Sequence, residues 1–326
     1  MKVSELAAPH DLVSAWERDL EDLTGVQEAA VRAGILEGRE NILVVAPTSS
    51  GKTLVGEMAA AQIAMAGQKH VFVAVPMKSL AEEHFFRLQA RYRDLMNVVI
   101  STGDRLEYDD DIRHGRFDLG VLTYEKLAML LVQSGGLLTR CGCVVVDEGQ
   151  MLNDKDRGAA LEVLITQILL APASPRLVVL SASVDDLNEL DAWLQAKPIV
   201  QEERPIPLHQ AVCSAESGRG LMLWADGRRQ ETQLTGPALG DVDALAARLA
   251  LENAAAGRQV IVFRASIPKV TSLAHAIAAQ RQATGVGLEV NERLLELEDP
   301  DTAIPSCLAH KRVSTIAHLA REGRLP

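Results

Sequence analysis

Lys52 and Thr53, directly after Gly51, and the adjacent carboxylates Asp147 and Glu148 are the residues of this chain best suited to chemistry on a polyphosphate. The first three lie in Asn41–Val55, NILVVAPTSSGKTLV, where an apolar run from Ile42 to Ala46 precedes a turn and then a helix-favouring segment. The order predicts strand, phosphate loop, helix. It fits G-x-x-x-x-G-K-[ST] except that Ala46 stands at the first position, where a small residue that starts the turn is enough. In such a loop the backbone N–H groups of Thr48, Ser49, Ser50 and Gly51 curl around phosphate oxygens, and glycine allows the close approach. Lys52 reaches the β- and γ-phosphates, the Thr53 hydroxyl holds Mg²⁺, and the helix offers its positive end. G-K-T alone would also suit a plain strand-turn-helix connection with a surface lysine; the flanking pattern favours the phosphate loop.

Further along, Val144-Val145-Val146-Asp147-Glu148 is an apolar strand ending in two acids. Taken alone, such a pair often opens a helix. After a phosphate loop, Asp147 would complete the metal shell opposite Thr53, and Glu148 would orient and deprotonate an attacking water. Gln27, near a helix start before the loop, carries an amide that donates and accepts at once, which suits the edge of adenine. On local grounds a solvated helix-start residue is the simpler reading.

These residues need elements to position them. The chain has 326 residues, 48% hydrophobic and 24% charged, enough for roughly two domains with sizeable cores. Short β-branched runs (HVFVAV at 70–75, 98–101, 118–122, CVVVD at 143–147, RLVVLS at 176–181) alternate with amphipathic stretches at 79–92, 124–132, 158–170 and 186–194. This predicts an α/β fold, a parallel sheet with helices on both faces. Pro76, Thr102, Thr123, Asp147 and Ser181 follow strand ends and should line one edge with the phosphate loop. Residues 1–23 read as one amphipathic helix, residues 24–200 as the first domain, and Lys197–Pro207, with Pro198, Pro205 and Pro207, as a linker. From 201 to 326 a second domain starts, with extended segments at 208–213 and 221–224, a helix at 241–256, a strand at 259–264 (QVIVFR) and a helix at 268–282, and it looks incomplete.

The net charge of −11 argues against non-specific coating of nucleic acid but leaves room for a local basic track. No apolar run approaches the ~18 residues of a membrane span, and the N-terminus has no apolar signal region, so a cytoplasmic protein is expected. Cys141, Cys143, Cys213 and Cys307 read as reduced thiols; Cys141 and Cys143 are too closely spaced for the usual zinc knuckle.

Together Gln27, APTSSGKT (46–53), VPMKSLAEE (75–83), STGD (101–104), LTYEK (122–126), VVVDEGQML (144–152) and LSAS (180–183) resemble the first motor domain of a superfamily 2 DExH-type helicase. The closest likeness is to the branch of archaeal DNA-repair helicases and exosome-associated RNA helicases. RPIPLHQAV (204–212) resembles that branch's junction into the second RecA-like domain, and VIVFRAS (260–266) resembles its motif IV. The resemblance implies a RecA-like P-loop NTPase domain that takes ATP and Mg²⁺. Gln27 would sit on adenine, and Pro76, Lys78, Ser79, Thr102, Gly103, Thr123 and Tyr124 would touch the backbone of single-stranded nucleic acid. Ser181 and Ser183 would couple phosphate release to movement. Backbone contacts do not separate DNA from RNA, and the branch favours DNA.

Two departures matter. Gln150 stands where the family has His or Asp, and its amide can bond to Ser181 or Ser183, so it is kept among the catalytic residues. The family's Gln-x-x-Gly-Arg-x-x-Arg segment has no counterpart, so the second motor domain is expected to be truncated and hydrolysis by this chain weak. The main reading is a helicase or translocase motor fragment. The alternative is an ATP-binding subunit or switch whose partner chain supplies the missing arginine. An unrelated phosphate-loop kinase is disfavoured by the segments at 75–83, 101–104 and 122–126.

Overall fold

The computed structural model describes residues 1–284 apart from 68, 135, 183–188 and 235–238. The chain divides into two units, Met1–Ile206 and Pro207–Pro326. In the first, seven strands form one sheet: β1 (Asn41–Val45), β2 (His70–Val75), β3 (Val98–Ser101), β4 (Leu119–Thr123), β5 (Cys141–Val146), β6 (Arg176–Ser181) and β7 (Ala196–Val200). Their order is β3-β4-β2-β5-β6-β1-β7, and every pairing is parallel. The strand ends named above therefore share one edge, and the loops after β1 and β5 flank the end of β6.

The helices of this unit are α1 (His10–Glu17), α2 (Gly25–Arg32), α3 (Lys52–Met65), α4 (Lys78–Tyr92), α5 (Asp109–His114), α6 (Tyr124–Gln133), α7 (Gly158–Leu169) and α8 (Leu190–Leu194). Period-two alternation sends strand residues to opposite faces. Val44, Val73, Val145 and Leu180 pack with α1 to α4, whereas Val45, Phe72, Val144 and Val179 pack with α6 and α7. The parallel sheet with helices on both faces is the expected RecA-like class. The central helix α3 fits through small residues. A Cβ at Gly56 would lie 2.7 Å from Val145 Cγ1 and 2.8 Å from Leu180 Cδ1, so only glycine permits this approach.

Several expectations fail, each for a physical reason. Residues 1–23 are not one helix: Pro9 precedes α1, and the flanks pair with each other, Val3 N donating to Glu21 O at 3.0 Å and Leu23 N to Met1 O at 2.9 Å. Residues 197–200 are not linker but part of β7, which pairs along β1; Pro198 is tolerated because β7 is an edge strand. Helix α5 was not foreseen. Its first turn holds Asp109, Asp110 and Asp111, favourable at the positive end of a helix but too short a segment to show periodicity.

In the second unit β8 (Gln210–Cys213), β9 (Arg219–Leu223) and β10 (Arg229–Gln233) form an antiparallel sheet, joined by α9 (Val242–Ala255) and α10 (Ile267–Thr284). The segment at 259–264, read above as a strand, pairs with no strand among the described residues. Ile261 and Phe263 are exposed there, because β-propensity needs a neighbouring strand to become structure. Residues 309–326, which resemble the family's segment just after this one, lie outside the described residues. Among the described residues no helix is long and apolar enough to cross a membrane.

Cys141 and Cys143 are buried at the start of β5, and Cys141 donates to Cys143 O at 3.2 Å. Burial pushes the Cys143 thiol up to about 12 and Cys141 higher still. The thiolate is the reactive form, and burial disfavours it in both residues. Native protein is expected to leave both unlabelled by iodoacetamide at pH 8, with full labelling after denaturation, as peptide mass mapping would read out.

Candidate functional site

The loop between β1 and α3 has the backbone of an anion-binding concavity. Ser49 has φ +65° and Gly51 φ +91°, so successive amides turn toward a common centre. Lys52 opens α3 and is only 6% exposed, and no carboxylate among the described residues forms an ion pair with it. Ser50 Oγ is buried with no hydrogen-bond partner. A buried ammonium, an unpartnered hydroxyl and inward-turned amides together are costly unless an anion meets them. These residues fit a polyphosphate. Thr53 and Asp147 line one small cavity together with Glu57, His84 and Arg87, so the two hard oxygen donors suited to Mg²⁺ face a common space.

Gln27 is not a solvated helix-start residue. It is 2% exposed, its Nε2 donates to Gly51 O at 3.0 Å, and its Oε1 accepts from Thr24 N at 2.9 Å. It caps α2 and clamps the phosphate loop, which leaves one amide hydrogen and one lone pair for a nucleotide. A Cβ on Gly51 would lie 2.4 Å from that Nε2, so loop and clamp depend on each other. Arg204 Nη1 donates to Thr48 Oγ1 at 3.3 Å, bringing a further cation to the loop.

Asp147 and Glu148 follow β5. Asp147 Oδ1 accepts from Glu148 N at 2.9 Å, and Asp147 Oδ2 lies 3.2 Å from His84 Nε2. Glu148 is held in the left-handed region, φ +58°, a conformation that non-glycine residues keep only when their surroundings enforce it. Those surroundings are visible: Tyr124 donates its hydroxyl to Asp147 O and to Glu148 O, and Gln150 Nε2 donates to Glu148 Oε2. Gln150 Oε1 in turn accepts from Ser181 Oγ at 3.2 Å and from Ala182 N at 3.0 Å. The amide that departs from the family pattern therefore ties Glu148 to the end of β6. Ser183 lies outside the described residues.

The nucleic-acid set is divided by burial. Lys78, Ser79 and Gly103 are exposed at the edge, and Lys78 pairs with Asp104 at 2.5 Å across surface solvent, a weak link that a phosphate can replace. Pro76 is buried, and its carbonyl accepts from Arg157 at 2.6 Å. Thr102 and Thr123 use their hydroxyls as local caps, accepting from Arg105 N at 3.2 Å and from Lys126 N at 3.4 Å. Tyr124 is fully buried, burial and the nearby carboxylates push its hydroxyl well above the usual range, and that hydroxyl is bonded to the Asp147–Glu148 turn. Lys126, the last residue of the same segment, is also buried, pairing at 2.6 Å with Asp109, which in addition accepts from Ser101 Oγ at 2.5 Å.

Sequence reasoning missed Glu57, His84, Arg87 and Arg157. Glu57 sits one turn beyond Thr53, which was a usable signal. The others come from elements distant in the chain, and nothing local marks them.

Residues 24–190 match the DEAD/DEAH box helicase family. The ATP-dependent DNA helicase Hel308 of Pyrobaculum calidifontis is 36% identical over 288 residues, 88% of this chain and 38% of that protein. Hel308 of Pyrococcus abyssi is 37% identical over 229 residues, 70% of this chain and 30% of that protein. Hel308 of Caldivirga maquilingensis is 32% identical over 283 residues, 85% and 35% respectively. The chain thus spans between 30% and 38% of the length of these relatives.

Proposed function

Because the chain belongs to the DEAD/DEAH box helicase family, we propose that it binds MgATP at the loop after β1 and hydrolyses it as part of a motor that engages single-stranded DNA. The observation that carries this reading is Lys52, a buried ammonium that no carboxylate of the described residues neutralises. In the proposed site Lys52 and the loop amides balance phosphate charge, while Thr53 and Asp147 hold Mg²⁺. The bound metal supplies charge neutralisation between the phosphates. Glu148, fixed by Gln150 and the Tyr124 hydroxyl, orients the water and takes its proton. Ser181, bonded to Gln150, is the proposed link between the state of the site and the end of β6.

Lys78, Ser79 and Gly103, with the backbones of Pro76, Thr102 and Thr123, are the proposed contacts to a strand. DNA is favoured over RNA because the relatives are named as DNA helicases. Pro207–Pro326 is proposed to carry part of a second motor domain. In support, the likeness to the Pyrobaculum protein extends over 288 residues, past the first unit's end at Ile206.

The test is the ATPase rate of the 326-residue chain with no nucleic acid, with single-stranded DNA and with single-stranded RNA. The expected result is a slow basal rate raised several-fold by DNA. A rate indifferent to both polymers, with tight ATP binding, would overturn the strand-engaging half of the proposal. No nucleotide binding would overturn all of it.

A further inference from the structure

The carboxylate proposed for the metal is also contacted by a buried histidine that lines the same cavity. His84, in the second turn of α4, is buried, and its Nε2 lies 3.2 Å from Asp147 Oδ2. Its other ring nitrogen, Nδ1, lies 3.2 Å from Arg87 Nη2. A guanidinium has only donors, so Nδ1 is the acceptor and the ring proton sits on Nε2, directed at Asp147. Arg87 is steered in turn by the buried Glu57, whose Oε2 is 3.7 Å from Arg87 Nε. Glu57 also accepts from Tyr92 at 2.7 Å and pairs with Arg91, so its position is determined from three sides.

The geometry points to His84 as a positioning residue for Asp147. With Oδ1 held by the Glu148 amide and Oδ2 by the imidazole, the carboxylate plane has one orientation, and Asp147 lines the cavity shared with Thr53. A partner that fixes a ligating group sharpens metal affinity although it never touches the metal. The residues are joined by geometry alone: Glu57 lies on α3, Arg87 and His84 on α4, and Asp147 beyond β5. Lys78 and Ser79 open α4, so a single helix runs from the edge proposed for the strand to the residue that orients the carboxylate.

This inference rests on the MgATP site proposed above, and the test separates the two. Affinity of the full chain for a fluorescent ATP analogue is measured across a Mg²⁺ titration, with Mn²⁺ binding followed by electron paramagnetic resonance. Wild type, His84→Leu and His84→Gln are compared. For His84→Leu the Mg²⁺ concentration at half effect is expected to rise ~10–100-fold, with metal-free nucleotide affinity unchanged. His84→Gln places an amide nitrogen near the former Nε2 and is expected to recover most of the loss. A merely structural histidine would lower the melting temperature of both variants and leave the Mg²⁺ curve where it was, and that result would overturn the assignment. A wild type with no nucleotide affinity would overturn the site itself, since there would be no curve to shift.

Discussion

Lys52→Ala is expected to lower ATP hydrolysis by ~10²–10³-fold, comparable to removing one preorganised donor from a charged transition state, while leaving the melting temperature unchanged or raised. The two halves of this result come from one observation. Lys52 is buried at the start of α3, and no carboxylate among the described residues pairs with it. Truncating one member of a buried ion pair strands the other charge and costs about 3–5 kcal/mol. Here there is no partner to strand. The substitution removes an ammonium whose desolvation opposes folding, and it places the strongest helix former at the first position of a helix. The fold therefore loses little, and a bound polyphosphate loses its nearest fixed cation. Hydrolysis assays and thermal melts on the same preparations decide it. A drop in stability above ~1 kcal/mol would show that Lys52 supports the fold, and the reading of its charge as reserved for an anion would fail.

Arg176→Ala is expected to destabilise the first unit by about 3–5 kcal/mol, a large share of the 5–15 kcal/mol that holds a typical domain together. Arg176 begins β6, and its guanidinium is buried against backbone: Nε donates to Glu40 O at 2.9 Å, Nη1 to Ile35 O at 2.7 Å and Nη2 to Gly34 O at 3.2 Å. Burial lowers its pKa, yet an arginine remains charged throughout the usual pH range, so these are charge-assisted bonds. The three carbonyls belong to the turn that delivers the chain from α2 into β1. Losing the fork removes the side-chain donor from Ile35 O and Glu40 O in a site where water enters poorly, while Gly34 O keeps its bond from Gly38 N at 2.8 Å. Lysine keeps the charge but not the planar fork, so Arg176→Lys should recover only part of the loss. Urea unfolding is the measurement, and a change under ~1 kcal/mol would show that the turn holds itself. Because β1 leads directly into the phosphate loop, nucleotide affinity should fall together with stability in these variants.

The first unit was largely legible because its signals are local. Buried parallel strands read as short β-branched runs, and the phosphate loop announces itself through glycine and lysine at set spacing. Where the reading failed, a local signal was overridden or was never present. Pro9 broke an apolar period that otherwise suggested one long helix. Residues 197–200 carried proline and charge like a linker, yet an edge strand accepts both. QVIVFR had strand propensity and found no strand beside it among the described residues. Tyr124 stood in a segment that resembles a strand-binding motif, and no local signal showed that its side chain would be buried.

The sequence by itself determined which residue types stand at which strand ends, and with them the class of chemistry: a backbone cradle, a lysine, a hydroxyl and two carboxylates. These follow from spacing along one chain. Only the tertiary structure decided which side chains remain available. It bonded Gln27 to Gly51, buried the Tyr124 hydroxyl against Asp147 O, left Lys52 without a carboxylate among the described residues and brought His84 to Asp147. Such outcomes depend on neighbours far apart in the chain, as with Arg176 and Ile35, 141 residues apart. The physical reason is that a buried donor must find its acceptor wherever packing has placed one, and periodicity and composition carry no record of that place.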